Sequence, residues 1–145
     1  MGADRLRCLV TGATGYIGGR LVPRLLERGF AVRALARSPE KLAAVPWRDR
    51  IEVAKGDLGD PASLEAAFEG VDVVYYLVHS MGFEKDFAGA ERRAALNVVN
   101  AARKAGVRRI IYLSGLHPAG AARAATRRLG REGRCKGKTQ GQSCS

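Results

Sequence analysis

Three glycines recur at intervals of three, Gly12, Gly15 and Gly18, immediately after the apolar run Leu6-Arg7-Cys8-Leu9-Val10-Thr11. Immediately beyond them, apolar residues at Ile17, Leu21, Val22, Leu25 and Leu26 keep the three-to-four spacing of one helix face. The first run reads as a short strand, so the glycines sit where a strand turns into a helix. A helix start presents backbone N–H groups that have no partner within the helix, and glycine removes the side chains that would hold a ligand away from them. The chemistry this suits is the binding of a pyrophosphate. Gly12, Thr14, Gly15, Tyr16, Ile17 and Gly18 are the candidate contacts. Their position at the head of a strand-helix-strand unit of the usual length makes a dinucleotide the expected ligand.

A second group of chemically apt residues follows the next strand. Phe30 to Ala36 is apolar apart from Arg33, and it delivers Arg37 and Ser38 at its end. Sites selective for NAD place a carboxylate here for the ribose 2′-hydroxyl, and that carboxylate repels a 2′-phosphate. No acid occupies this place. A guanidinium with paired donors and a neighbouring hydroxyl instead suits a phosphate, so the sequence predicts NADP(H) in preference to NAD(H). Arg33 is a further cation that would add positive potential if its side chain reached the same place.

These groups need a scaffold to hold them, and the rest of the chain predicts one. Gly29 closes the first helix, which carries Pro23 inside it and is expected to bend there. Ser38-Pro39 offers an N-cap and first-turn proline for a second helix, and Ile51 to Lys55 is a third strand. Asp60-Pro61 repeats the cap-plus-proline signal before Leu64, Ala67 and Phe68, and Gly70 ends that helix. Val71 to Val78 is the continuous apolar run of a strand covered on both faces. Phe83 to Ala105 keeps a helical spacing up to Gly106, and Val107 to Ser114 is a fifth strand. Alternating strands and helices imply right-handed crossovers and a doubly wound parallel sheet of about five strands, order 3-2-1-4-5, the Rossmann arrangement.

Composition fits a single soluble domain, with 46% hydrophobic and 27% charged residues in a chain of 145. No apolar stretch reaches the roughly 20 residues of a membrane span. The first residues lack the apolar core of a secretory signal, so a cytoplasmic location is expected. Cys8, Cys135 and Cys144 form neither a disulfide framework nor a metal-ligand spacing, and no metal site is expected. The net charge of +11 is unevenly placed: residues 118–145 hold seven basic side chains against Glu132, leaving +5 for the body. That stretch has one large aliphatic residue, Leu129, and is expected to be a disordered basic tail beyond a domain spanning 1–117. It has no interleaved aromatics, so a nucleic-acid partner is not expected. Oligomeric state and substrate are not written in the sequence.

The glycine segment Thr11 to Gly18 resembles that of the short-chain dehydrogenases/reductases, in particular the atypical and extended members that include NmrA-like proteins and NAD-dependent epimerases/dehydratases. The similarity continues through Arg37-Ser38-Pro39, Gly56-Asp57-Leu58, Tyr75 to Met81 and Tyr112-Leu113-Ser114-Gly115, covering residues 5 to about 117 in unbroken order. The resemblance implies that Asp57, with Leu58 beside it, meets the adenine, although Asp57 also reads as a turn cap ahead of Asp60-Pro61. It implies that Val78, His79 and Ser80 line the ribose and nicotinamide, and that Ser114 matches a serine holding the substrate oxygen. Ser114 and His79 are the only candidates for a catalytic part. Active members add a Tyr-x-x-x-Lys pair, in which lysine lowers the tyrosine pKa. Tyr16, Tyr75, Tyr76 and Tyr112 are none of them followed by lysine four places on. The family also continues with a substrate-binding portion where this composition changes after Pro118, so a C-terminally incomplete chain is expected. Two functions follow from the resemblance: an NADP(H)-dependent oxidoreductase or a fragment of one, and a non-enzymatic NADP(H) sensor of NmrA-like type.

Overall fold

In the computed structural model of the chain, the residues described are 5–77 and 87–113, with Phe87 and Ala88 described by backbone alone. They fall within the first of two compact units, Met1–Ser114. The stretch 118–145 and the residues Val78, His79, Ser80 and Ser114 lie outside the described residues.

The elements run β1 (Arg7–Thr11), α1 (Tyr16–Glu27), β2 (Ala31–Ala36), two 3-10 turns (Pro39–Leu42 and Arg48–Arg50), β3 (Glu52–Lys55), α2 (Pro61–Phe68), β4 (Val73–Tyr76), α3 (Phe87–Ala105) and β5 (Arg109–Tyr112). The strands form one five-stranded sheet in the order β3-β2-β1-β4-β5, and each neighbouring pair is parallel. This is the doubly wound Rossmann topology that the alternation of strands and helices predicts.

Alternation along each strand divides the core between the two faces of the sheet. Cys8, Val10, Val32 and Ala34 point to the face covered by α1 and the 3-10 turns, where Val22, Leu25, Leu42 and Trp47 are buried. Leu9, Leu35, Val74 and Tyr76 point to the other face, against Leu64, Phe68, Val98 and Ala102 of α2 and α3. Helix ends follow the glycines. Gly29 (φ +83°) and Gly106 (φ +72°) take the left-handed conformation that ends α1 and α3. In each case the next residue's N–H closes back on the helix, Phe30 onto Leu25 at 3.1 Å and Val107 onto Ala102 at 2.9 Å. Asp60 caps α2, its Oδ1 accepting from the N–H of Ala62 at 3.2 Å.

One expected element is replaced. No α-helix follows Ser38-Pro39; the chain makes two 3-10 turns there instead. Pro39 takes the first-turn place, but the Ser38 side chain makes no cap bond. Pro46 explains the short turn, because a helix running through it would lose a donor and set the ring against the carbonyl of Leu42. Leu42 and Trp47 anchor the segment by burial. Pro23, in contrast, is held inside α1, which runs on to Glu27. The fifth strand is shorter than its apolar run, and as an edge strand it leaves Ile110, Ile111 and Tyr112 between 37% and 51% exposed.

Candidate functional site

The strand order reverses between β1 and β4, and open α/β sheets bind ligands at the carboxyl ends of the strands beside such a reversal. Thr11, the last residue of β1, is 1% exposed and joins the two halves. Its Oγ1 donates to the carbonyl of Tyr75 at 3.3 Å and accepts from the N–H of Leu77 at 3.0 Å. Leu77 immediately precedes Val78, His79 and Ser80. A threonine closing a strand has no spacing signature, so the sequence alone does not mark the Thr11 hydroxyl as part of the site.

The three glycines have three different jobs. Gly12 is left-handed (φ +70°) and makes the turn out of β1, and the N–H of Gly15 closes it on the Gly12 carbonyl at 3.0 Å. A Cβ on Gly15 would stand 3.2 Å from that carbonyl oxygen. A Cβ on Gly18 would stand 2.2 Å from the Gly12 oxygen and 2.7 Å from the Ala13 Cα, so only glycine lets α1 pack this closely on the loop. Gly15 is the N-cap and contributes no side chain, while the N–H groups of Tyr16, Ile17 and Gly18 have no acceptor among the described residues. Three unpaired donors at the positive end of a helix fit a pyrophosphate. Thr14, Tyr16 and Ile17 are exposed around them.

At the end of β2, Arg37 is exposed and has no carboxylate partner among the described residues. Ser38 offers a hydroxyl that caps nothing. Arg33 does not join them. It lies four residues earlier along β2, about 13 Å at the usual strand rise. Its guanidinium is occupied elsewhere: it donates to the carbonyls of Ala67 (2.8 Å) and Glu69 (2.7 Å) at the end of α2, and pairs with Glu52 at 2.9 Å. Arg33 is a helix C-terminal cation, not a contributor to the site.

Asp57 begins the loop after β3 and caps its own turn, Oδ1 accepting from Gly59 N–H at 2.8 Å. The other oxygen makes no bond among the described residues. Leu58 packs on the α2/α3 core, and its carbonyl accepts from Asn97 Nδ2 at 2.8 Å, which ties this loop to α3. The tyrosines nearby are poorly suited to proton transfer. Burial, and then the Glu91 carboxylate, push the Tyr76 and Tyr112 phenols above their usual range, the opposite of what a tyrosine base needs. Their rings stack at 5.4 Å between centroids.

A doubly wound parallel sheet with a glycine turn and unpaired helix-start donors beside the strand reversal defines a dinucleotide-binding domain of Rossmann type. The chain belongs to the NAD(P)H-binding family, whose model matches residues 12–133, and it is of the short-chain dehydrogenase/reductase kind. It is 36% identical over 119 residues to cinnamoyl-CoA reductase 1 of Oryza sativa, covering 78% of this chain and 35% of that protein. It is 34% identical over 123 residues to a 3 beta-hydroxysteroid dehydrogenase/Delta 5-->4-isomerase of Mycobacterium tuberculosis, covering 74% of this chain and 31% of that protein. Among solved structures it is similar to the NADPH-dependent quinone oxidoreductase QOR2 of Escherichia coli, solved with NADPH, at TM-score 0.61 and 33% identity, over 72% of this chain and 35% of that one. The triphenylmethane reductase of Citrobacter sp., complexed with NADP(H), matches at TM-score 0.60 and 34% identity, over 74% and 36%. The chain thus spans about a third of the length of these relatives. It is an NAD(P)H-binding, reductase-like domain. Among the described residues, no helix is long and apolar enough to cross a membrane.

Proposed function

We propose that the chain is the cofactor-binding part of an NADP(H)-dependent oxidoreductase of atypical short-chain type, acting in the cytoplasm. The observation that carries the choice of NADP(H) is Arg37, an exposed guanidinium directly after β2, where an NAD-selective site would place a carboxylate, beside an unengaged Ser38 hydroxyl. The relatives solved with NADPH or NADP(H) support the same choice. In this reading the loop from Gly12 to Gly18 holds the pyrophosphate, with the N–H groups of Tyr16, Ile17 and Gly18 as donors. Arg37 and Ser38 take the 2′-phosphate, and the second oxygen of Asp57 meets the adenine amino group while Leu58 supports the loop. Val78, His79 and Ser80 line the ribose and nicotinamide, and Ser114 holds a substrate oxygen. When bound, the dinucleotide supplies the hydride chemistry, and this chain's residues bind and orient it. The stretch 118–145 takes no part in cofactor contact.

Calorimetric titration of NADPH and NADH tests the assignment. A charge-assisted contact to phosphate is worth roughly 1.5–3 kcal/mol, so Arg37→Ala weakens NADPH about ten- to a hundredfold and leaves NADH nearly unchanged. Equal affinities of the parent chain for the two dinucleotides, or equal losses in the variant, would refute it.

A sensor of NmrA-like type, binding NADP(H) without turnover, is the second reading. Assay of NADPH oxidation with quinone or carbonyl acceptors separates the two. Turnover excludes the sensor.

A further inference from the structure

At the first turn of α1, Tyr16 stands 73% exposed, and the guanidinium carbon of Arg20 lies over its ring, 3.8 Å from the centroid. The two residues are four apart on the helix, and helical side chains lean toward the N-terminus, so the stack carries the Arg20 charge back toward the end where the unpaired N–H groups lie. For a cation this is the unfavourable end, because the aligned peptide dipoles place about half a positive charge there. No described carboxylate offsets it. The first turn of α1 has no acidic residue, and among the described residues no carboxylate pairs with Arg20. One turn further on, Arg24 has the ordinary arrangement, paired with Glu27 at 3.3 Å. Arg20 is thus a cation held by an aromatic ring against a positive helix end with no counter-charge among the described residues, an arrangement that becomes favourable once an anion sits on the helix start.

We propose that Arg20, positioned by the Tyr16 ring, is a pyrophosphate-binding cation that acts on NADPH and NADH alike. The inference rests on the reading of the glycine loop as the pyrophosphate site, and it assigns Arg20 a different phosphate from Arg37. Arg37 discriminates between the two dinucleotides; Arg20 sets the affinity for both. Tyr16 acts through Arg20, by holding the guanidinium toward the helix start in place of the extended, solvated positions open to an unstacked arginine.

The test is calorimetry on the full chain with Arg20→Ala, Arg20→Lys and Tyr16→Ala, each titrated with NADPH and with NADH at about 50 mM and about 500 mM KCl. Arg20→Ala loses about tenfold in affinity for both dinucleotides, and the loss shrinks at the higher salt. Arg20→Lys and Tyr16→Ala fall between the parent and Arg20→Ala. Thermal melting supplies the readout that a structural role would not give: removing a cation from a positive helix end leaves the melting temperature unchanged or raises it, so affinity falls without loss of stability. Unaltered affinity in Arg20→Ala overturns the assignment, as does a loss confined to NADPH, which would place Arg20 on the 2′-phosphate. A parent chain that binds neither dinucleotide instead overturns the pyrophosphate site on which the inference rests.

Discussion

Neighbouring glycines in α1 answer to opposite physical terms, and substituting each in turn by alanine separates them. In Gly18→Ala the added Cβ would lie 2.2 Å from the Gly12 oxygen, 2.7 Å from the Ala13 Cα and 2.9 Å from the Gly12 carbonyl carbon. All three are backbone atoms, so no rotamer change relieves the contact. Restoring van der Waals separations of about 3.5 Å means moving α1 from the loop by on the order of 1 Å. Overpacking of this kind costs roughly 1–3 kcal/mol, and the upper end applies where the neighbours are main chain. Alanine's better helix propensity returns about 0.5–1 kcal/mol, leaving a net loss of about 2 kcal/mol. Gly19→Ala has the same propensity gain with no clash, since its Cβ meets only the Ala13 oxygen at 3.9 Å. It is therefore stabilised by about 0.5–1 kcal/mol. Urea unfolding followed by far-ultraviolet circular dichroism reads both changes, with unchanged slopes confirming that only stability has moved. A Gly18→Ala chain as stable as the parent, or a Gly19→Ala chain as unstable as Gly18→Ala, would show that the loop and helix are not packed as described.

Thr11→Val keeps the shape of the side chain but removes the acceptor for Leu77 N–H and the donor to the Tyr75 carbonyl. A loss of about 1–3 kcal/mol is expected, together with faster amide exchange at Leu77, and an unprotected Leu77 amide already present in the parent would refute the bridge. Cys8 makes stability depend on alkaline pH. Burial, and then the Asp72 charge, push its thiol from 9.0 up to about 11. The folded chain keeps the proton that the unfolded chain sheds, so this contribution is whole below pH 9 and is lost as pH climbs toward 11, by at most about 2–3 kcal/mol. Cys8→Ala flattens the alkaline limb of the stability curve by that amount, and identical limbs in parent and variant would exclude it.

The elements legible in the sequence are those whose signals are local. Apolar runs gave β1, β2 and β4, and the helix-closing role of Gly29, Gly70 and Gly106 agrees with their positive φ. Asp60-Pro61 marked the start of α2 because its cap and first-turn proline belong to one turn of chain. Ser38-Pro39 carries the same signal and yields only a 3-10 turn, since Pro46 and the burial of Leu42 and Trp47 act from further along. Partnerships across the fold were not legible. Nothing near Arg33 in sequence announces Glu52 or the end of α2, which lie 19 and 34 to 36 residues away. Arg20 shows the reverse case: its four-residue spacing from Tyr16 is local and readable, but the meaning of the pair appears only once the helix start is seen to be without an acid.

The strand pairings close loops of very unequal size. Arg33 meets Glu52 across 19 residues and Arg7 meets Ala31 across 24, whereas Cys8 meets Val73 across 65. By loop-closure entropy the last of these costs about 0.9 kcal/mol more than the β1–β2 closure, before any contact repays it. Side-chain bonds are spent at both ends of this seam: the Arg7 N–H donates to Asp72 Oδ2 at 2.8 Å at one end, and Thr11 bridges to β4 at the other. The seam between β1 and β4 is also where the strand order reverses. A ligand lying across it binds only the chain whose two halves are in register, so binding and seam closure draw on one free energy. Loosening either clasp therefore weakens binding without removing any group that touches the ligand.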